Sequence, residues 1–141
     1  MKSNIVLALL TFGIAVSALA DDGGAAASNT TAKLPPVSSQ KDVTYEKDIK
    51  PIFDHSCIKC HGADRPKGKL RLDSLQGILK GGVDGKVVEA GKSANSMLVE
   101  NVAHMGDPED WMPPTKNRMG LKPLAAEQIS LIRAWIDQGV K

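Results

Sequence analysis

Two cysteines and a histidine fall within five consecutive positions, Cys57-Ile58-Lys59-Cys60-His61. The chain has no other cysteine. Four outcomes fit this cluster: covalent attachment of a haem, a zinc site, a redox-active dithiol, or a simple structural disulfide. The spacing of the three side chains, the export signal and the surrounding helices bear on the choice.

The spacing favours covalent attachment of haem. On one helical turn, Cys-x-x-Cys places both sulfurs on nearly the same side of the backbone, about as far apart as two vinyl groups on one porphyrin edge. The adjacent His61 is then placed to bind the iron through Nε2. One motif predicts one haem c per chain, with Cys57, Cys60 and His61 as its attachment residues.

The three alternatives require further ligands, a different fold or another explanation of His61, and the sequence offers little support for any of them. A structural zinc site needs four Cys or His ligands, and outside the five-residue motif the chain offers only His55 and His104. A thioredoxin-like pair expects a βαβ setting, for which no strand pattern is visible. A structural disulfide leaves both His61 and the export signal unexplained.

The first residues are typical of a secretory signal. Residues 1–20 carry Lys2, an apolar run and Ala18-Leu19-Ala20 before two acidic residues, which predicts cleavage after Ala20. Residues 21–42 are rich in Ala, Gly, Ser, Thr and Pro and are predicted to be a disordered linker. The folded domain is predicted over residues 43–141, in the periplasm or secreted, with no transmembrane segment in the mature chain.

Charge and composition limit the function classes. The chain has 18 Lys and Arg against 16 Asp and Glu, which excludes the strongly basic surface of a typical nucleic-acid-binding domain. Aromatic residues make up only 4% of the chain, so a domain of about a hundred residues has few side chains to fill its core. A bound cofactor is expected to fill part of it.

Four segments have helical patterns, which predicts an all-α domain. The first covers residues 44–57, with Thr44 as a possible cap and a kink at Pro51, and ends at the cysteine motif. Ser74 is placed to cap a short helix that Gly81 ends. Residues 93–103 and 127–138 form the third and fourth, with Met97 as a core residue of the third.

A family resemblance rests on several segments together. "TYEKDIKPIFDHSCIKCHGADRPKGKLRLDS", the later "MPP" and "PLAAEQISLIRAWIDQG" closely resemble the planctomycete-type cytochrome c domain over about residues 43–140. The resemblance implies a small class I cytochrome c-like helical fold around one covalently bound haem. It also implies that His61 is the proximal ligand and that a methionine of "MPP" is distal. One departure is Ala125, where the last helix would usually have a Ser or Thr cap.

The sixth iron ligand is the main open choice. Met112 is favoured, because the prolines that follow it push it out of helical geometry and stiffen the strap that carries it. His104 is the main alternative, and the other methionines or an open position follow. Pro66, or a neighbour within residues 63–67, is expected to accept a hydrogen bond from His61, and Leu70 and Leu72 are expected to pack on the haem.

The predicted function is one-electron transfer between redox partner proteins, without enzymatic activity. Ligation by His and Met leaves no vacant iron position for a substrate. An open or labile position would instead indicate a small peroxidase-like enzyme or a haem-based sensor module. Basic residues lie in and after the motif, namely Lys59, Arg65, Lys67, Lys69 and Arg71, and acidic residues precede Met112, namely Glu100, Asp107, Glu109 and Asp110. This separation of charge predicts a dipole that orients the protein toward an acidic docking surface on its partner. Two solvated loops without a docking role are the alternative.

Overall fold

The computed structural model describes residues 33–141. Regular structure in this range is helical, and its one β-type pairing is an isolated bridge between Gly82 and Gly85. The predicted all-α class is therefore confirmed. The predicted signal over residues 1–20 and residues 21–32 of the predicted linker lie outside the described residues.

The described residues form short helices joined by ordered loops. The α-helices are α1 (Lys50–Ser56), α2 (Ile58–His61), α3 (Leu75–Lys80), α4 (Met97–Val102) and α5 (Ala126–Asp137). A π-helical turn, Tyr45–Ile49, precedes α1, and single 3-10 turns lie at Lys67–Lys69, Ser93–Asn95 and Pro108–Asp110. Among the described residues, no helix is long and apolar enough to cross a membrane.

The predicted first helix is divided into three pieces. The π-helical turn passes into α1 just before Pro51, which lies in the first turn of α1, where backbone N–H groups have no helical partner. The Thr44 side chain does not cap the turn; instead the Thr44 N–H donates to Asp48 Oδ2 at 2.9 Å. Cys57 interrupts the helix between α1 and α2, with φ −121°.

The core forms where the first helical segments cross α5. The rings of Phe53 and Trp135 meet edge to face with centroids 6.4 Å apart, and Tyr45 lies 6.1 Å from Trp135. Phe53, Trp135 and Ile49 are fully buried. This crossing is built from large apolar side chains, which contribute most of the burial energy of so small a core.

At the start of α5, a glutamine side chain forms one of the two hydrogen bonds of a helix-capping box. Ala125 precedes the helix and has no side-chain oxygen that could accept from the first turn. Gln128 Oε1 accepts from the Ala125 N–H at 2.9 Å, which satisfies one backbone donor. An apolar stripe, formed by Ile129, Ile132 and Ile136, is buried along α5.

Residues 34–42, the end of the predicted linker, lie against α5. The Ser38 N–H donates to the Ser130 carbonyl at 3.1 Å, and Gln138 Nε2 donates to the Gln40 carbonyl at 2.8 Å. The Arg133 guanidinium donates to the Pro35 carbonyl. These bonds attach an extended segment that has little helical or sheet structure of its own.

One core prediction for the third helical segment is wrong. The segment divides into the 3-10 turn at Ser93–Asn95 and α4, and the turn between them rotates Met97 outward. Leu98 and Val102 are buried, but Met97 is 36% exposed. It therefore contributes to a surface and not to the core.

A glycine that ends α3 allows a sharp reversal of the chain. Ser74 begins the helix, and its Oγ accepts from the Gly77 N–H at 3.2 Å, as the sequence predicts. Gly81 follows the helix at φ +80°, and a Cβ there would clash with the Gly85 carbonyl oxygen. Only glycine combines this backbone conformation with this close approach.

Gly81→Ala is expected to destabilise the fold by about 2 kcal/mol or more, because it adds a clash to a strained backbone. Gly91→Ala is the matched control. Gly91 has a similar φ of +78°, but a Cβ added there would have no heavy atom within 4 Å, so only the backbone cost of about 1 kcal/mol remains. Denaturant unfolding of both variants measures the difference, and equal losses would show that the predicted clash is absent.

Candidate functional site

A cavity of about 520 Å³ lies beside α2. Cys57, Cys60 and His61 line it together with Met112, although more than fifty positions separate Met112 from the motif. Its volume is in the range typical of small-molecule and cofactor sites. Much of the remaining wall is apolar and includes Leu70, Leu72, Val87, Leu98, Val102, Leu121 and Leu124.

Local hydrogen bonds hold the motif in a tight turn. The Cys57 N–H donates to the Phe53 carbonyl at 2.8 Å, which continues the pattern of α1. The Cys57 carbonyl then accepts from the N–H groups of Cys60 and His61 at 3.1 and 2.9 Å. A single turn of backbone therefore presents both sulfurs and the imidazole to one cavity.

The two cysteines are free thiols. Burial, with a smaller contribution from Cys60, raises the pKa of the Cys57 thiol to about 12. A thiol that stays protonated at neutral pH is a poor metal ligand and a poor disulfide nucleophile. Within residues 33–141 no three His, Cys, Asp or Glu side chains are grouped to hold a metal ion, so the zinc alternative finds no support there.

His61 has an unsatisfied nitrogen. Its Nδ1 is buried and has no hydrogen-bond partner among the described residues. Burial lowers the pKa of His61, although the nearby carbonyls of Leu70 and Lys67 oppose the shift without forming a well-oriented hydrogen bond to Nδ1. A lowered pKa keeps the imidazole neutral, which is the form that binds iron.

The expected Pro66 partner of His61 remains a prediction. The Pro66 carbonyl accepts from the Lys69 N–H at 3.0 Å. It belongs to a loop whose carbonyls approach the ring at Lys67 and Leu70. Leu70 and Leu72, expected to pack on a haem, both line the cavity.

Leu72 connects the motif to the core. Its N–H donates to the His61 carbonyl at 2.7 Å, and its carbonyl accepts from the Tyr45 hydroxyl at 2.9 Å. The hydroxyl is buried where the π-helical turn meets the cavity wall. The position of His61 therefore depends on a contact to the start of the domain.

Tyr45 provides a direct test of this contact, since the chain has no other tyrosine. Burial, with a smaller effect of the Glu46 charge, raises the pKa of Tyr45 to about 12. Because the folded protein keeps this proton longer than the unfolded chain, the stabilising contribution is complete below pH about 10 and is lost as the pH rises toward 12. An ultraviolet titration, with unfolding measured at the same pH values, checks both effects.

Tyr45→Phe is the control for that titration. It removes the ionising group and leaves the Leu72 carbonyl without its donor, at a cost of about 1–3 kcal/mol near neutral pH. Between pH 10 and 12, the free energy of unfolding of this variant is not expected to show the decrease expected for the wild-type protein. A midpoint near 10 in the wild-type protein would show that the hydroxyl is not held as described.

The Met112 segment is attached to α4. The Met112 N–H donates to the Asn101 carbonyl at 3.0 Å, and Pro113 and Pro114 continue along the cavity wall. Trp111 Nε1 donates to the Met105 carbonyl at 3.1 Å. Two hydrogen bonds thus hold a segment that prolines also stiffen.

The other ligand candidates are placed differently. The His104 ring stacks on Trp111 with centroids 4.9 Å apart and does not line the cavity. Its Nε2 is buried and has no hydrogen-bond partner within residues 33–141. Met97 and Met105 do line the cavity. Met119 lies with His55 and Lys59 in a separate cavity of about 510 Å³, which adjoins the first at Ser56 and Leu121.

Sequence reasoning did not predict part of the wall. Asn101 lines the cavity and anchors Met112, and the turn from Gly82 to Gly85 forms another side. A Cβ on Gly82 would lie 2.7 Å from the Gly68 carbonyl oxygen, so glycine allows two loops to touch. In the sequence, Gly81-Gly82 indicates the end of a helix, but it does not indicate the contact between the loops at Gly82 and Gly68.

The comparisons confirm the predicted resemblance. Residues 57–116 match the family model described as Planctomycete cytochrome C. The matched range contains the motif, Leu70, Leu72 and Met112. No solved structure matches the chain.

The chain is also similar to a much longer protein. It is 28% identical over 129 residues to hydrazine synthase subunit alpha of Kuenenia stuttgartiensis. The similarity covers 74% of this chain but only 16% of that subunit. The chain thus corresponds to a small part of this relative.

Proposed function

We propose that the protein, with a domain of this cytochrome c type, is an exported monohaem electron carrier that exchanges one electron at a time with redox partner proteins. Cys57 and Cys60 hold the haem covalently, and His61 and Met112 bind the iron. The signal over residues 1–20 directs the chain to the periplasm or to secretion. The protein is a carrier and not an enzyme.

One observation carries the proposal: Cys57, Cys60, His61 and Met112 line a single, largely apolar cavity. The residues fit a haem, since a neutral imidazole and a thioether are iron ligands and two thiols are the groups through which c-type attachment bonds the porphyrin. The buried Nδ1 of His61 has no partner among the described residues, which leaves it available to a carbonyl of the loop that follows the motif, and the carbonyls of Lys67 and Leu70 approach the ring.

The chain's own residues account for the specificity of the site. A haem held there supplies one-electron chemistry between ferric and ferrous iron. The apolar walls exclude water, which favours the less charged reduced state and raises the reduction potential. The bonds from Met112 to Asn101 and from Trp111 to Met105 hold the thioether in place, so that small ligands do not compete for the iron.

Spectra of the purified exported protein in both oxidation states test the proposal. We expect a low-spin haem c spectrum, a weak far-red sulfur-to-iron band in the ferric protein, and haem that stays with the chain on a denaturing gel. A colourless, folded protein of unmodified peptide mass would disprove it. A coloured protein that binds carbon monoxide readily would instead support the enzyme or sensor alternatives.

The similarity to a hydrazine synthase subunit favours a second candidate. The domain would then serve as a haem-bearing module of a larger redox assembly, because the matched relative is itself one subunit of an enzyme and is much longer. Gel filtration of the native protein from its source distinguishes the two. A free carrier elutes at the size of this chain, whereas a module elutes in a larger complex.

A further inference from the structure

The charged residues that line the cavity are mostly acidic. Four carboxylates line it, and they are opposed by a single lysine, Lys67. All five side chains are exposed, so they form a rim that a partner can reach. We call these four carboxylates, Asp84, Glu100, Asp107 and Asp110, the acidic rim.

The acidic rim is not neutralised within the described part of the chain. The ion pairs among residues 33–141 join Lys50 to Asp54, Arg71 to Asp73 and Lys92 to Glu89, and none includes a rim carboxylate. Among the residues that the structure describes, the rim side chains form one hydrogen bond, a local one from the Glu109 N–H to Asp107 Oδ1 at 2.9 Å. The rim therefore presents its charge to solvent.

The basic residues that follow the motif do not balance this charge at the cavity. Arg71 is held by Asp73 through two hydrogen bonds of 2.9 and 2.7 Å, which offset its charge. Lys59 lines the separate cavity beside His55. Among the five basic residues expected to face a partner, only Lys67 lines the main cavity.

Two apolar side chains are exposed at or beside the cavity. Met97 lines the cavity and is 36% exposed, in a helix whose other apolar residues are buried. Val83 is 60% exposed and lies between Gly82 and Asp84, which both line the cavity. A flexible thioether and an exposed valine beside charged side chains are typical of a transient protein interface.

We propose that Met97, Val83 and the acidic rim form the docking surface for a redox partner whose own docking face is rich in Lys and Arg. The proposal rests on the proposed function and names the partner's charge, which is opposite to the acidic partner expected from the sequence. Complementary charge would raise the encounter rate and orient the cavity toward the partner. The apolar centre would then exclude water from the contact.

Paramagnetic probes that cannot exchange electrons test the surface directly. Hexaamminechromium(III) is a trication and hexacyanochromate(III) is a trianion of similar size. In the reduced protein, we expect the trication to broaden the backbone amide signals of the acidic rim and Met97, while the trianion leaves them sharp. Broadening by the trication that is equal at Glu46 and Glu127, neither of which lines the cavity, would overturn the proposal.

Rates with a charged oxidant give a second, independent readout. The rim variant combines Glu100→Gln, Asp107→Asn and Asp110→Asn, and Asp107→Asn keeps a side-chain oxygen that can accept from the Glu109 N–H. The control combines Asp42→Asn, Glu46→Gln and Glu127→Gln, none of which lines the cavity. Both change the net charge by three.

At low salt, oxidation by tris(phenanthroline)cobalt(III) is expected to slow at least about three-fold more in the rim variant than in the control. Equal rates in the two variants would overturn the docking surface while leaving the electron carrier intact. Absence of haem or of reversible reduction in the wild-type protein would instead disprove the proposed function. Haem spectra of both variants confirm that each has folded.

Discussion

Replacing both Cys57 and Cys60 with alanine is expected to abolish covalently bound haem in the exported protein. The two sulfurs line one cavity and are the chain's only cysteines, so no other side chain can form a thioether. We expect the loss to be complete on a haem-stained denaturing gel, with the intact mass equal to that of the peptide alone. Each single variant is expected to keep a weaker, one-bond attachment.

His55→Ala is the matched control for the cysteine variants. His55 lies two positions before Cys57 but lines the separate cavity, so its removal should leave the attached haem and its spectrum unchanged. Haem that survives on the gel without either cysteine would contradict the assignment. Loss of haem in the His55 variant would indicate that the wider segment, and not the pair of sulfurs, determines attachment.

Met112→Ala is expected to have the second-largest effect. The far-red band of the ferric protein should disappear, the reduced protein should bind carbon monoxide, and the reduction potential should fall on the order of 0.1 V or more, since axial ligands set potentials over roughly 0.8 V. The physical reason is that a thioether stabilises ferrous iron and fills its sixth position. Absorption spectra and potentiometric titration measure all three changes.

Three variants at competing positions are the controls for Met112. Met97→Leu and Met105→Leu remove the other thioethers that line the cavity, and His104→Gln removes the ring stacked on Trp111. All three are expected to keep the far-red band. A wild-type protein without the band, whose sixth ligand is lost only in His104→Gln, would assign His104 and contradict Met112.

Local spacing predicted the motif and the helix positions well. The Cys-x-x-Cys-His turn depends on hydrogen bonds within five residues, from Cys60 and His61 to the Cys57 carbonyl, so neighbouring residues suffice to predict it. The period of Ile129, Ile132 and Ile136 likewise indicates the buried face of α5. The prolines after Met112 indicate a non-helical segment for the same local reason.

Features that depend on distant residues could not be predicted. The exposure of Met97 follows from the turn that separates Ser93–Asn95 from α4, because one added non-helical residue rotates the apolar face. The attachment of residues 34–42 depends on Arg133 and Gln138, which lie almost a hundred positions away. A polar segment read alone gives no sign of such partners.

The sign of the charge around the cavity also depends on residues that are distant in sequence. In sequence, the basic residues from Lys59 to Arg71 lie within the motif and after it and suggest a basic face. In the fold, Arg71 is paired with Asp73, and Asp84 arrives from a turn that sequence reasoning treated only as a helix end. Surface potential depends on which side chains converge in space, and that requires the tertiary structure.

The loop after the motif is fastened from both sides, by the Leu72 N–H to His61 and by the Val83 N–H to the Gly68 carbonyl at 2.8 Å. A framework braced in this way should shift very little when an electron arrives or leaves, since its dipoles are already fixed. The energy spent on nuclear rearrangement would then be small. The rate of electron transfer to a partner would then be limited by how often the two proteins meet. We therefore expect a more viscous solvent to lower this rate more than a change in the partner's reduction potential does.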